Sequence, residues 1–262
     1  VASTMRRNSR RARTAMVGAR RGFFSARPKR FLDGESVAAW VVFGDDCAGG
    51  VLAFAAAMTR QKPAIVPGIA ASAIYDPGCR RCPRLAAFLD DVQAEHPEYW
   101  CKPVPPFGDP RARLVIVGLA PGMHGANASG RPFTGDFAGI LLYETLHRFG
   151  FASSGVSISR DDGLILKDCR ITNAVKCLPP QNKPLPVEIK ACNAWLSAEL
   201  SQVAAGSVLL ALGRIAHDAT LAALGARRSA FAFAHGARHR VGAVTLFDSY
   251  HCSRYNTNTR RL

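Results

Sequence analysis

Two short apolar runs, far apart in the chain, constrain its fold more than anything else. Leu114–Val117 leads directly into GLAPGMHGANASGRPFTGD, Gly118 to Asp136, and Val244–Phe247 leads into SYHCSRYNTNT, Ser249 to Thr259. Apolar runs this short, rich in branched and aromatic residues and bounded by turn formers, read as buried strands. A segment of Gly, Asn, Ser, Thr and His at the end of such a strand is what an open α/β sheet uses to build a binding crevice. One loop supplies backbone amides, an aromatic ring and an aspartate; the other supplies a histidine among hydroxyls and amides.

The rest of the chain repeats this alternation. Cys82–Ala94 has helical spacing (Leu85, Phe88, Leu89, Val92) and stops before Pro97. Pro103–Pro110 is a proline-rich connection into the strand at Leu114–Leu119. Gly139–Phe149 reads as a helix with Leu142, Leu146 and Phe149 on one face and Gly150 as its stop. Arg170–Val175 reads as a strand, Pro186–Leu200 as a helix opened by proline, Val208–Leu212 as a buried strand and Ile215–Leu224 as a helix. The expected fold is a single α/β domain over residues 67–262, with a mostly parallel central sheet flanked by helices.

Charge needs to be divided before it is used. The chain of 262 residues has a net charge of +15, but residues 1–30 hold ten Lys/Arg and no acid, which leaves 24 basic against 19 acidic residues in the remainder. The folded part is thus only mildly basic, compatible with a DNA-binding surface without requiring one. Residues 1–66 are expected to be a disordered basic leader, or an over-extended start with Met58 as the first residue; Pro63–Tyr75 reads as a linker. Val37–Met58 is no membrane span, because Asp45, Asp46, Gly49 and Gly50 interrupt it.

Eight cysteines are present, and nothing suggests a secreted disulfide framework. Cys79 and Cys82 form a CxxC pair, Cys177 precedes Pro179–Pro180, and Cys192 lies fifteen residues later on a predicted helix. Four thiolates from two turns and a helix can close on a metal centre. Spacing alone does not separate tetrahedral zinc from a [4Fe–4S] cluster. Cys47, Cys101, Cys169 and Cys252 read as buried or incidental thiols.

The two loops, with CRRCPRL and VKCLPPQNKP around the cysteines, resemble the uracil-DNA glycosylase superfamily, specifically its family 5 (type b) branch, over roughly Ala70 to Leu262. The resemblance implies a [4Fe–4S] cluster on Cys79, Cys82, Cys177 and Cys192 that staples the fold. It implies a monofunctional enzyme that hydrolyses the N-glycosidic bond of uracil, and of deaminated bases such as hypoxanthine, in DNA. Such an enzyme must hold a flipped nucleotide, read its edge, stabilise the leaving base and tolerate a cationic sugar.

Phe133 is placed to stack on the base, and Asn173 to present an amide to an imide edge. Asp136 is expected to support the sugar cation and the attacking water, and can also cap the following helix. His251 is expected to donate a hydrogen bond to the leaving base. Gly118, His124 and Gly125, with Pro121, Gly122 and Asn127, shape the first loop around the base. Ser253, Arg254 and Gly213 are candidate phosphate contacts, with Arg214 beside them, and Tyr255 is a candidate wedge.

No Gly-Lys-Ser/Thr follows the first loop, which excludes a Walker-type phosphate loop. No lysine lies in either loop, so strand cleavage through a Schiff base is not expected. Ala120 stands where other branches carry Asp or Asn, which by the resemblance shifts the catalytic burden to Asp136 and widens base tolerance. Relatives continue into a final helix beyond the position of Leu262, so the C-terminal helix reads as truncated; the alternative function is a non-catalytic damage-binding protein of the same fold. The expected partner is double-stranded DNA, bound by a monomer in the bacterial cytosol, with no membrane association.

Overall fold

The computed structural model describes residues 75–262. The expected leader, the Met58 start, Cys47 and all but the end of the Pro63–Tyr75 linker lie outside the described residues.

A six-stranded sheet organises the domain: β1 (Phe107–Gly108), β2 (Leu114–Gly118), β3 (Cys169–Asn173), β4 (Val208–Leu212), β5 (Arg238–Val241) and β6 (Val244–Ser249). The spatial order is β1-β3-β2-β4-β6-β5. The four inner strands are mutually parallel, and the two edge strands pair antiparallel. Six helices accompany them: α1 (Pro83–Glu95), α2 (Ala126–Ser129), α3 (Phe137–Arg148), α4 (Pro186–Leu200), α5 (Arg214–Ala223) and α6 (Arg254–Asn258).

The inner strands are buried on both faces, and their side chains sort by parity. Leu114 and Ile116 of β2, with Ile171, Leu210 and Leu212, pack under Leu142, Tyr143 and Leu146 of α3. Val115 and Val117, with Leu209, Ala211 and Leu246, pack against Leu196 and Leu200 of α4 and Ala216, Ala219 and Leu221 of α5. Helix starts follow local chemistry. Asp136 caps α3 by accepting the Gly139 amide at 2.9 Å. Pro186 opens α4, where the Glu188 carboxylate accepts the Leu185 amide at 2.7 Å.

Four short elements depart from the sequence reading: β1 lies within the stretch read as a proline-rich connection, α2 lies within the first loop, and β5 and α6 have no counterpart in it. Strand β5, Arg-His-Arg-Val, lacks an apolar run because it is an edge strand whose outward residues face water. The Ser253–Asn258 stretch, read as loop, winds into α6, with the Ser253 hydroxyl accepting the Asn256 amide at its start. Among the described residues no helix is long and apolar enough to cross a membrane.

Candidate active site

The carboxyl ends of β2 and β3 lie side by side, and the site begins there. Gly118 ends β2 directly opposite Asn173, which ends β3. A methyl group added to Gly118 would sit 2.4 Å from Asn173 Oδ1 and 2.8 Å from the Phe133 ring. Glycine is therefore the residue that lets an amide and an aromatic face converge above the backbone. Asn173 is 3% exposed, and its Oδ1 has no hydrogen-bond partner in the protein. A buried acceptor left unpaired costs about 1–3 kcal/mol, so it needs a reason, and an absent ligand is one.

Phe133 is held in a backbone conformation that side chains rarely adopt, with φ of 55°. Such a conformation costs on the order of 1–3 kcal/mol and persists only where the surroundings over-determine it. They do so from both sides. The buried Arg131 guanidinium donates to both oxygens of Asp162, at 2.8 and 2.6 Å, and to the hydroxyls of Thr134 and Ser157. The buried Tyr143 hydroxyl donates to the Pro132 carbonyl at 2.7 Å. These two residues are the part of the site that the sequence reading missed. Arg131 sits inside the quoted GRPFTGD, but its carboxylate partner Asp162 lies 31 residues ahead in the chain and no local pattern announces it.

Asp136 follows Phe133 by three residues, and His251 packs against the Phe133 ring. Asp136 uses one oxygen as the α3 cap, while the other faces the backbone at Gly122 and Gly125; a methyl on Gly125 would come within 2.7 Å of it. Burial raises the Asp136 carboxyl above the usual aspartate value, against the pull of the Gly139 and Ala138 amides. His251 follows β6, and its ring lies 5.8 Å from that of Phe133 at an interplanar angle of 27°. Burial pushes its imidazole below the ordinary histidine value, which keeps it neutral near pH 7. Its carbonyl accepts the Asn256 side chain at 2.8 Å, tying the residue to α6.

The remaining expected residues fall into three groups. Gly125 lies against Asp136, as just described. The His124 ring turns to the Tyr99 hydroxyl, 2.9 Å from Nδ1, and packs edge-on against Tyr99 and His96. Gly213 has φ of 100°, lies against His251, and commits its own amide to the Ser249 carbonyl at 2.7 Å. Ser253 is the α6 cap, Arg254 stacks over the Phe137 ring at 4.9 Å, and Tyr255 is 62% exposed on the first turn of α6.

Cys79, Cys82, Cys177 and Cys192 line one pocket between α1, the turn after β3 and α4, with Tyr75 and Trp195. Burial and then the neighbouring thiols push Cys177 up to about 12 and raise Cys82. Burial raises Cys192 too, although the Lys176 amide donates to its sulfur at 3.3 Å. Four thiolates so placed repel one another unless a cation sits among them, which is what a metal centre supplies. Spacing bears on which centre. Among the described residues, the donors that gather in a set of three within 4.8 Å are those of His217, His239 and Asp248, not the cysteine sulfurs. A single zinc ion bonded to four sulfurs at about 2.3 Å would hold them about 3.8 Å apart. The four thiols lining this pocket are a candidate metal centre. Cys101, Cys169 and Cys252 are buried elsewhere.

Comparison with known proteins agrees with this geometry. The profile of the Uracil DNA glycosylase superfamily matches residues 105–262. A type-5 uracil-DNA glycosylase of Thermus thermophilus is 48% identical over 190 residues, covering 70% of this chain and 86% of the relative. One of Pyrobaculum aerophilum is 44% identical over 188 residues, covering 70% and 82%. A type-4 uracil-DNA glycosylase of Archaeoglobus fulgidus is 34% identical over 139 residues, covering 53% and 56%. With a crest of Gly118, Asn173 and Phe133 at the sheet's carboxyl edge and identity of this extent, the chain belongs to the uracil DNA glycosylase superfamily and, within it, to the type-5 branch.

Proposed function

We propose that this protein hydrolyses the N-glycosidic bond of uracil in DNA without cleaving the strand. The observation that carries the reading is the unpaired, buried Oδ1 of Asn173 facing the Phe133 ring across Gly118. A flipped base stacks on Phe133, and the Asn173 amide meets its imide edge with a donor and an acceptor. The 5.8 Å between the Phe133 and His251 rings is too narrow for a base to be sandwiched, which would need about 7 Å at normal contact distance. His251 therefore addresses the edge of the base. As a neutral imidazole it donates an N–H to the oxygen on which negative charge develops, with no proton transferred. Asp136, in its carboxylate form, lies where it can offset positive charge on the sugar and orient water.

The relatives carry the name uracil-DNA glycosylase, and their likeness supports the same reaction here. Cys79, Cys82, Cys177 and Cys192 would hold a [4Fe–4S] cluster, which when bound ties α1 to the β3 turn and α4. It contributes a staple, because glycosidic hydrolysis moves no electrons. Ser253, Arg254, Gly213 and the exposed Tyr255 lie on the same rim and are assigned to the DNA strand, with one chain acting on duplex DNA in the cytosol. The test is incubation with a duplex holding one uracil. Strand breakage should appear only after alkali; breakage without alkali, or none with it, overturns the reading.

A further inference from the structure

A second cluster of ligating groups lies away from the cysteines. His217 on α5, His239 on β5 and Asp248 on β6 bring Nδ1, Nε2 and a carboxylate within 4.8 Å of one another. Asp248 is fully buried and His217 is 1% exposed, while the His239 side chain keeps 14% of its surface, which leaves one approach from solvent. Phe231 and Phe233 close over the two imidazoles edge-on.

The hydrogen bonds fix which atoms face the cluster. His217 Nε2 lies 3.0 Å from the Phe231 carbonyl, which can only accept, so Nε2 carries a proton. Nδ1 faces Asp248 Oδ1 at 2.7 Å. Two lone pairs cannot face each other at that distance without a cation between them, either a proton or a metal ion. The second Asp248 oxygen lies 3.0 Å from His239 Nε2. A histidine that ligates through one nitrogen and donates the other N–H to a backbone carbonyl is the usual arrangement around zinc. Two imidazoles and a carboxylate suit that metal, with water as the fourth ligand.

We propose that His217 Nδ1, His239 Nε2 and Asp248 form a zinc site that cross-links α5, β5 and β6. The present N···O distances are shorter than the roughly 3.3 Å edge of a tetrahedron with bonds of about 2.0 Å. Zinc thus enters by displacing the proton from the His217–Asp248 contact, while the His239 proton moves from Nε2 to Nδ1, and by opening the cluster by a few tenths of an ångström. The ion sits beside the strand that runs on into His251, three residues past Asp248, and is separate from the cysteine centre.

The experiment is equilibrium dialysis of the full chain, with its iron measured first, against buffered zinc from nanomolar to micromolar. His239→Gln is run in parallel, because glutamine still donates to Asp248 but ligates poorly. Wild type should take up one zinc per chain with release of a proton into weak buffer, and the imidazole nitrogen resonances of His217 and His239 should shift at saturation. His239→Gln should bind at least about a hundredfold more weakly, since loss of an outer-shell partner alone costs 10–100-fold. Zinc held by the cysteines would be indifferent to this substitution. Equal uptake by the two proteins, no uptake by wild type, or unmoved imidazole resonances would each overturn the proposal. The resonances decide on wild type alone should the variant not fold.

Discussion

Replacing Asp136 by asparagine separates the helix cap that the structure shows from the catalytic role that we propose for the same carboxylate. Asparagine caps a helix about as well as aspartate, so the bond to the Gly139 amide survives the change. The charge does not. Burial holds the Asp136 pKa above the aspartate value of 3.8, so its favourable contribution to stability is complete below that value. It is lost as pH rises through the folded-state pKa, above which the folded protein bears the cost of a buried charge. Asp136→Asn should therefore match or exceed wild type in thermal stability. Asp136→Ala, which loses the cap, should cost about 1 kcal/mol, or roughly 2–4 °C in midpoint for a domain of this size. Catalysis should not follow that order. Loss of one preorganised electrostatic stabiliser costs about 10²–10³ in rate, or about 2.7–4 kcal/mol. Single-turnover excision from a uracil duplex should fall by that factor in both variants, with duplex binding retained. A wild-type rate for Asp136→Asn, beside a less stable Asp136→Ala, would refute the catalytic role and leave Asp136 as a cap.

Gly118→Ala should place a methyl between Asn173 Oδ1 and Phe133 and cut excision by about a hundredfold, a loss typical of misplacement by about 1 Å, while undamaged duplex binds as before; an unchanged rate would mean the base does not enter there. Asn173→Ala removes a buried unpaired acceptor, so denaturant midpoints should hold or rise while uracil excision drops at least tenfold, or about 1.4 kcal/mol; a parallel loss of stability would mark Asn173 as a structural residue. Excision should fall as pH drops through the raised Asp136 value, at higher pH than an exposed aspartate would give, and stay flat on the alkaline side because His251 is already neutral; an alkaline limb near the ordinary histidine value would contradict the neutral donor. Cys177→Ser should lose bound iron and visible absorbance along with solubility, measured by iron and sulfide content; full iron retention would remove Cys177 from the ligand set.

The parts of this fold that the sequence made legible share one physical origin. Val208–Leu212 and Pro186–Leu200 announce themselves because complete burial demands an unbroken apolar run and because proline marks a helix start. Strand β5 stays hidden because an edge strand can spend its positions on Arg238 and Arg240. Helix α6 stays hidden because five polar residues carry no apolar period, and a single serine cap sets where it begins. In the site, Gly118, Asn173 and Phe133 could be named because they fall within motifs that resemble the family, Asn173 also as a polar side chain amid apolar strand residues. The Arg131–Asp162 anchor could not, since it joins two unremarkable residues 31 positions apart, and pairing across such a gap is a property of the folded chain alone.

The direct pairing of Gly118 with Asn173 fixes how this enzyme can change its appetite. Neighbouring strands are locked about 4.8 Å apart by their ladder, so the wall that we propose reads the base cannot be widened without breaking the centre of the sheet. Breathing, mutation and selection act more cheaply on the pieces that hang from it: the 119–136 loop and the turn carrying His251. A variant that gains bulkier bases should therefore carry its changes in those two segments, with β2 and β3 left as they are, much as a vice is refitted by changing its jaws while the bed stays bolted down.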